Sequence, residues 1–289
     1  MKNTFIFMCK LIIFFLTLET AAAQNINLNI ELDKKEFIEG ESVYLLMSLN
    51  NSSSQILNYD RFYLEGRTLE LNVTDERGYI LPYKGADVDY ALSGPTVYTL
   101  QPGKSTQYLC PLSYFYHNFV EKDAIFPFPV VSRLLPGLYK VKAQYQVSEG
   151  KIYSNELTFT VSAPKNDDAI LFERLKTKFT PDFIWGKRKD EAFILFDTLS
   201  KSNSQSIYLP IVKKTLSGFY FQKGDTSKAI EILKDLIKKN PNSGYALEAF
   251  QTMKISNREK ELFLNEFKSI NPSSRIVKFG DSILNKKVK

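Results

Sequence analysis

Histidine and cysteine are nearly absent from this chain of 289 residues, which holds one histidine and two cysteines. A zinc site usually needs several histidine or cysteine ligands, and a nucleophilic triad would have to use His117. Neither GxxxxGKS/T nor GxGxxG occurs, so nothing indicates a phosphate-binding loop. From this inventory we expect no metal, no cofactor and no enzymatic activity.

A long apolar run is also missing, because the apolar core at residues 11–18 has only eight residues. A membrane-spanning helix needs about 20 apolar residues. Lysines precede this run and three alanines, residues 21–23, follow it, which is typical of a secretory signal peptide. We therefore expect a signal at residues 1–23, cleavage before Gln24, and export to the periplasm, cell surface or medium without a transmembrane segment. A retained N-terminal anchor is the alternative.

Cysteine scarcity limits covalent stabilisation of the exported chain. Cys9 lies in the predicted signal, so Cys110 would be the one cysteine of the mature protein and no intramolecular disulfide could form. Cys110 lies in a strand-like run, and we expect it to be a small buried side chain. Removing the signal leaves enough residues for two domains of ordinary size.

The region 24–162 consists of short alternating runs separated by turn residues. In residues 26–32 every second residue is apolar, as in a strand whose side chains alternate between the two faces of a sheet. Turns are indicated at Asp75-Glu76-Arg77-Gly78 and at Pro102-Gly103. Many short strands at this spacing predict an antiparallel β-sandwich.

One stretch of that half, residues 113–135, is long and aromatic and contains Pro127 and Pro129. Closely spaced prolines exclude a central strand, so we expect a loop. One interpretation is a loop that presents aromatic side chains to a ligand, peptide or glycan, and the other is a loop that packs over the edge of the sandwich. The candidate ligand-binding residues are Tyr114, Tyr116, His117, Phe119, Phe126 and Phe128.

The region 164–289 has helical periodicity, and Ala163-Pro164 reads as a linker before it. Charge changes at the same place: residues 24–162 carry 12 basic and 16 acidic residues, whereas residues 163–289 carry 24 and 15. A basic helical half favours an acidic protein or peptide partner, and we expect no nucleic acid partner for an exported chain. The run Lys187-Arg188-Lys189 concentrates this charge, although a solvated surface is the simpler interpretation.

The segments FIEGESVYLLMSLNNSS, GYILPYKG, LQPGKS and LPGLYKVKAQY follow one another in the first half. Together they resemble an immunoglobulin-like exported sandwich, and they are particularly similar to the β-domain that precedes the catalytic domain of deuterolysin-type peptidyl-Lys metallopeptidases. Those enzymes carry zinc on a helix with HExxH, which this chain lacks. The resemblance therefore implies the fold of residues 26–162 and not the peptidase activity.

Residues 209–241, LPIVKKTLSGFYFQKGDTSKAIEILKDLIKKNP, resemble a tetratricopeptide repeat. The resemblance implies two helices joined by a turn at Gly224-Asp225. Residues 187–204 and 256–272 are weaker copies, and stacking is expected because one repeat cannot bury its own apolar face. The repeat-defining residues are Leu216, Tyr220, Gly224, Ala229, Leu233 and Pro241.

The expected fold is multidomain, all-β plus all-α, with an immunoglobulin-like antiparallel β-sandwich at 24–162 and a tetratricopeptide-like α-helical repeat domain at 164–289. We expect an exported non-enzymatic binding or scaffold protein that holds a protein or peptide partner on the helical half. One alternative is a cell-envelope module that binds a glycan or polymer through the aromatic loop. Another is a hydrolase that uses carboxylates such as Asp87 and Asp89.

Overall fold

The computed structural model describes residues 26–60, 64, 68–85, 97–120, 122, 130–147, 150–178, 180–202 and 205–284. Within them the chain is mixed β plus α, with the strands before residue 163 and all helices but one after it. The strands are β1 (Ile26–Leu32), β2 (Glu36–Ile38), β3 (Tyr44–Asn51), β4 (Leu57–Asp60), β5 (Leu69–Asp75), β6 (Val97–Leu100), β7 (Ser105–Pro111), β8 (Phe119–Val120), β9 (Ser132–Arg133), β10 (Gly137–Val147) and β11 (Gly150–Ser162). The helices are α1 (Leu112–Phe115), α2 (Asn166–Lys176), α3 (Pro181–Ile184), α4 (Lys189–Ser202), α5 (Leu209–Gln222), α6 (Thr226–Lys239), α7 (Gly244–Thr252), α8 (Asn257–Ile270) and α9 (Arg275–Leu284).

Two sheets face a common hydrophobic core in the first half. The first sheet has the order β1-β3-β7 and is antiparallel. The second has the order β2-β11-β10-β5 and is antiparallel except where β2 pairs with β11. Alternate residues of β1, β5 and β10 enter the core, as the period of two in the sequence predicts. Two shorter pairs, β4 with β6 and β8 with β9, complete the pairing among the described strands.

Strand β3 is buried on both faces, unlike a strand at the surface of a sandwich. Leu45, Met47 and Leu49 belong to the core between the two sheets. Tyr44 and Leu46 point to the opposite face and belong to a second core, which is built mainly from the helices. The first sheet therefore lies between the second sheet and the helical half.

The predicted helices begin and end close to the expected residues. Asp167 and Asp168 lie in the first turn of α2, where carboxylates interact favourably with the helix dipole. Helices α5 and α6 pack together around a turn at Gly224, whose φ of 82° suits glycine. Asp225 caps α6 by accepting a hydrogen bond from Lys228 N at 3.0 Å. Helix α9 is the last helix of the described residues.

The helices dock onto the first sheet through a sheet–helix interface, formed by β3 and β7 on one side and α7 and α9 on the other. The ring of Tyr44 packs edge-on against Tyr245, with 5.2 Å between ring centroids. Tyr245 Oη accepts a hydrogen bond from Ser42 N at 2.8 Å, and Ser282 Oγ accepts one from Gln107 N at 2.9 Å. The predicted boundary at Ala163-Pro164 thus separates the strands from all but one of the helices. The two halves nevertheless pack against each other through this interface.

Candidate binding pocket

A pocket of about 210 Å³ lies between α5, the end of α3 and the short helix α1. Most of its wall comes from one face of α5. The lining residues of that helix start at Ile211 and recur at intervals of three or four, the spacing that places side chains on one side of a helix. We call it the Trp185 pocket. Its lining consists of Tyr114, Ile184, Trp185, Ile211, Lys214, Thr215, Gly218, Phe219 and Gln222.

Trp185 gives the pocket its largest aromatic surface. It is the single tryptophan of the chain and directly follows α3, whose start is fixed by a hydrogen bond from Phe183 N to Thr180 Oγ1 at 3.3 Å. The Trp185 side chain remains 55% exposed. Tryptophan is enriched among the residues that dominate protein–protein binding energy, so an exposed tryptophan at the mouth of a pocket indicates a binding surface.

Gly218 forms part of the pocket wall in the middle of α5. Glycine within a helix is less favourable than alanine by about 0.5–1 kcal/mol. A methyl group at this position would meet no atom within 4 Å, so no neighbouring side chain requires the glycine. Gly218 instead keeps the backbone of α5 accessible from the pocket.

A polar network closes the inner side of the Trp185 pocket. Lys214 Nζ donates to Glu248 and also to Tyr114 Oη, the latter at 3.0 Å. Tyr44 Oη donates to the same carboxylate and lies 3.5 Å from Tyr114 Oη. The network joins α1, β3, α5 and α7, so it ties the pocket wall to the sheet–helix interface.

The surroundings of Lys214 and Tyr44 determine the protonation state of each. Burial alone would lower the pKa of Lys214, but the Tyr114 oxygen and the Glu248 carboxylate outweigh it and raise that pKa above its usual value. Burial, followed by the nearby Glu248 carboxylate, holds the pKa of Tyr44 well above its ordinary range. At neutral pH Lys214 is therefore a cation and Tyr44 a neutral hydrogen-bond donor.

The predicted aromatic loop is largely internal where the structure describes it. Tyr114 lies at the Trp185 pocket with most of its surface buried, and Tyr116 and His117 are each only 1% exposed. Phe119 is half-buried beneath Arg133, whose guanidinium carbon lies 3.8 Å from the ring centroid. These placements favour the packing interpretation for Tyr116, His117 and Phe119, whereas Tyr114 lines the pocket. Phe126 and Phe128 lie outside the described residues.

The repeat-defining residues lie on α5 and α6, in the turn between them and just after α6. Leu216 and Leu233 belong to the helical core, and Ala229 is entirely inaccessible. Tyr220 is half-buried and packs edge-on against Phe193, and Pro241 O accepts a hydrogen bond from Ile276 N at 3.2 Å. They are structural residues of the helical half and do not line the Trp185 pocket.

Sequence reasoning missed the pocket itself, because Trp185, Lys214 and Gly218 belong to no recognised pattern. Two signals were present in the sequence: Trp185 is the single tryptophan, and Gly218 interrupts a helical run. Neither signal shows that the two residues meet, since Trp185 follows α3 and Gly218 lies on α5, with α4 between them in the chain.

Two further clefts are lined mainly by polar residues. One, of about 500 Å³, lies between Glu41 and the α5–α6 pair, and most of its charges are paired internally, as in Lys34 with Glu41 and Lys213 with Asp235. Burial raises the pKa of Glu41. The other, of about 840 Å³, lies beside β7 and α9.

Within the described ranges, no group of three or more histidine, cysteine, aspartate or glutamate side chains could hold a metal ion. None of the helices in that part of the chain is long and apolar enough to cross a membrane. Cys110 is buried in the core of the two sheets, and burial raises the pKa of its thiol. Asp87 and Asp89 lie outside the described residues.

No protein-family model and no curated protein matches this chain. Among solved structures, a β-glucosidase from Listeria innocua is similar over 47% of this chain and 16% of its own, with 16% identity and a TM-score of 0.26. The β-glucosidase EmGH1 from Erythrobacter marinus gives 14% identity over 47% of this chain and 15% of its own, with a TM-score of 0.28. CopC from Methylosinus trichosporium OB3b gives 15% identity over 49% of this chain and 97% of its own, with a TM-score of 0.22. This chain thus spans about one sixth of the length of the β-glucosidases.

Proposed function

We propose that this chain is an exported, non-enzymatic binding protein that holds a segment of a protein or peptide partner on its helical half. The observation that carries the proposal is the Trp185 pocket, which combines an exposed tryptophan, apolar walls and a few fixed polar groups. Binding sites are commonly concave and mostly apolar with a small number of placed polar groups.

In this proposal the first half is an immunoglobulin-like sandwich and the helices are degenerate tetratricopeptide-like pairs. The packing of α5 on α6, the turn at Gly224 and the inaccessible Ala229 support that interpretation of residues 209–241. The face of α7 and α9 that meets β3 and β7 is covered by this chain itself. The partner therefore binds beside that contact, at the face of α5 where the Trp185 pocket lies.

Site-specific photo-cross-linking in expressing cells tests the proposal. A photoreactive phenylalanine analogue at Trp185 should give a discrete adduct with a second protein after irradiation. The same analogue at Leu262, which is 62% exposed on α8, is the matched surface control and should give none. Equal labelling at both positions, or no adduct at Trp185, would count against a partner site at the pocket.

A peptidase and glycosidase screen of the purified protein tests the proposal that the protein is not an enzyme. We expect no turnover above that of a blank preparation. A reproducible hydrolytic activity that persists through purification would replace the binding proposal with an enzymatic one.

A further inference from the structure

We propose that the Trp185 pocket takes one aromatic side chain from an acidic segment of the partner, whose flanking carboxylates contact Lys187 and Lys189. The inference rests on the proposed function and names the chemistry of the partner. It follows from three independent observations, which are the size of the pocket, the glycine in its wall and the exposed lysines that follow Trp185 in the chain.

Size and lining indicate a single side chain as the occupant. Pockets for whole small-molecule ligands usually measure about 300–1,000 Å³, whereas the Trp185 pocket measures about 210 Å³. Trp185 and Phe219 supply aromatic surface, and aromatic rings pair favourably in stacked or edge-to-face arrangements. An aromatic ring on the partner thus matches both the volume and the walls.

Gly218 indicates that the occupant comes close to the backbone of α5. No neighbouring side chain of the protein requires the glycine, because a Cβ at this position would meet no atom within 4 Å. One other use of glycine is to let a ligand approach the main chain closely. Gly218 lines the pocket, and the first carbon of a side chain added there would meet no neighbour within 4 Å. The position therefore also offers a direct way to fill the pocket by substitution.

Charge favours an acidic segment around that aromatic residue. Lys187 and Lys189 follow Trp185 by two and four residues, and both are exposed. Arg188 between them pairs with Glu191 at 2.7 Å, but among the described residues neither lysine makes an ion pair. Lys214 inside the pocket is already paired with Glu248. The two exposed lysines can therefore contact carboxylates of a partner segment bound at Trp185.

Fluorescence of Trp185 provides the measurement, because it is the single tryptophan of the chain. The probes are capped peptides without tryptophan: Asp-Glu-Phe-Asp-Glu, its neutral counterpart Asn-Gln-Phe-Asn-Gln, its basic counterpart Lys-Arg-Phe-Lys-Arg, and Asp-Glu-Ala-Asp-Glu. The acidic phenylalanine peptide should change the emission with a Kd below about 1 mM. Neutralising its charges or removing its ring should each weaken binding at least fivefold, and the basic peptide should bind weakest.

Two pairs of variants locate the binding. Gly218→Leu should fill the pocket and weaken binding of the acidic peptide at least tenfold, while Gly218→Ala, which places only one methyl group beside the backbone of α5, should weaken it less than Gly218→Leu does. Because an exposed ion pair contributes roughly two- to fivefold, Lys187→Glu with Lys189→Glu should weaken binding about tenfold or more. Lys35→Glu with Lys151→Glu makes the same charge change at exposed lysines of the strand half and should have little effect.

The outcomes separate this inference from the proposed function. If the neutral or basic peptide binds as tightly as the acidic one, or if Gly218→Leu leaves binding unchanged, the inference is wrong even when the cross-link at Trp185 persists. If no peptide binds and no cross-link forms, both are wrong. Two results without peptide would also overturn the inference. If the Trp185 emission shifts on dilution, the occupant of the pocket is a second copy of the chain. If the emission shifts with Phe126→Ala and Phe128→Ala, the occupant is the chain's own segment 121–129.

Discussion

The single histidine makes the stability of the protein depend on pH in a way that one substitution can isolate. His117 is only 1% exposed, and burial together with the nearby positive charge of Lys84 lowers its pKa from 6.5 to about 4. In the unfolded chain the imidazole regains its ordinary pKa. Between pH 6.5 and pH 4 the unfolded state therefore binds a proton that the folded state does not, and stability falls as the pH falls.

The size of this effect follows from the interval between the two pKa values. One pKa unit corresponds to about 1.36 kcal/mol, so His117 accounts for a loss of at most about 3 kcal/mol between pH 6.5 and pH 4. Below pH 4 both states are protonated and the loss stops increasing. With an m-value of about 3 kcal/mol/M, this loss lowers the urea midpoint by about 1 M.

Urea unfolding of the protein, followed by far-ultraviolet circular dichroism at several pH values from 4 to 7, measures the loss. His117→Gln removes the titrating group, so its midpoint should fall by about 1 M less than that of the wild type across this range. Carboxylates titrate in both proteins and cancel in the comparison. Lys84→Met should also reduce the loss, because removing the nearby charge raises the pKa of His117. Parallel pH profiles of the wild type and His117→Gln would refute the reasoning.

Three further substitutions probe the packing of the helices, each measured as the change in thermal and urea midpoints of the full chain. Gly218→Ala should stabilise the protein by about 0.5–1 kcal/mol, since the added methyl group meets no atom; a loss would show that the glycine is needed for folding. Gly244→Ala should destabilise it by about 1–3 kcal/mol, because the methyl group would lie 2.3 Å from Tyr44 Cβ; an unchanged midpoint would contradict the close contact of α7 with β3. Ala229→Leu should cost about 1–3 kcal/mol through overpacking of the inaccessible Ala229, whereas Lys228→Leu, at the half-buried neighbouring residue, should change stability much less; equal midpoints would count against a close helix contact there.

The elements of this fold could be predicted because each has a period or a terminal signal of its own. The alternation at Ile26, Leu28 and Ile30 gives β1, and these three side chains are buried as expected. Helix α6 begins at the aspartate that caps it and follows a glycine with positive φ. Such signals are local, so one sequence is enough to read them.

The docking of the halves and the Trp185 pocket could not be predicted in the same way, because both depend on contacts between distant residues. One clue was available in YLLMSLNN of β3, where apolar residues follow one another without alternation. That pattern is typical of a strand covered on both faces. The identity of the covering helices, and the meeting of Trp185 with α5, are set by tertiary packing that no local period encodes.

The sheet–helix interface and the Trp185 pocket share several side chains. Tyr114, which lines the pocket, comes from the strand half, and its oxygen lies 3.0 Å from Lys214 Nζ on α5. The carboxylate of Glu248 holds the same lysine while it accepts the hydrogen bond of Tyr44. A fragment of residues 164–289 would lose both tyrosines, expose Tyr245 and leave Lys214 and Glu248 without two of their partners. Because the wall of the pocket and the contact between the halves share these groups, we expect the proposed binding at α5 to require the whole chain, and a change that loosens β3 from α7 should weaken that binding without touching the pocket.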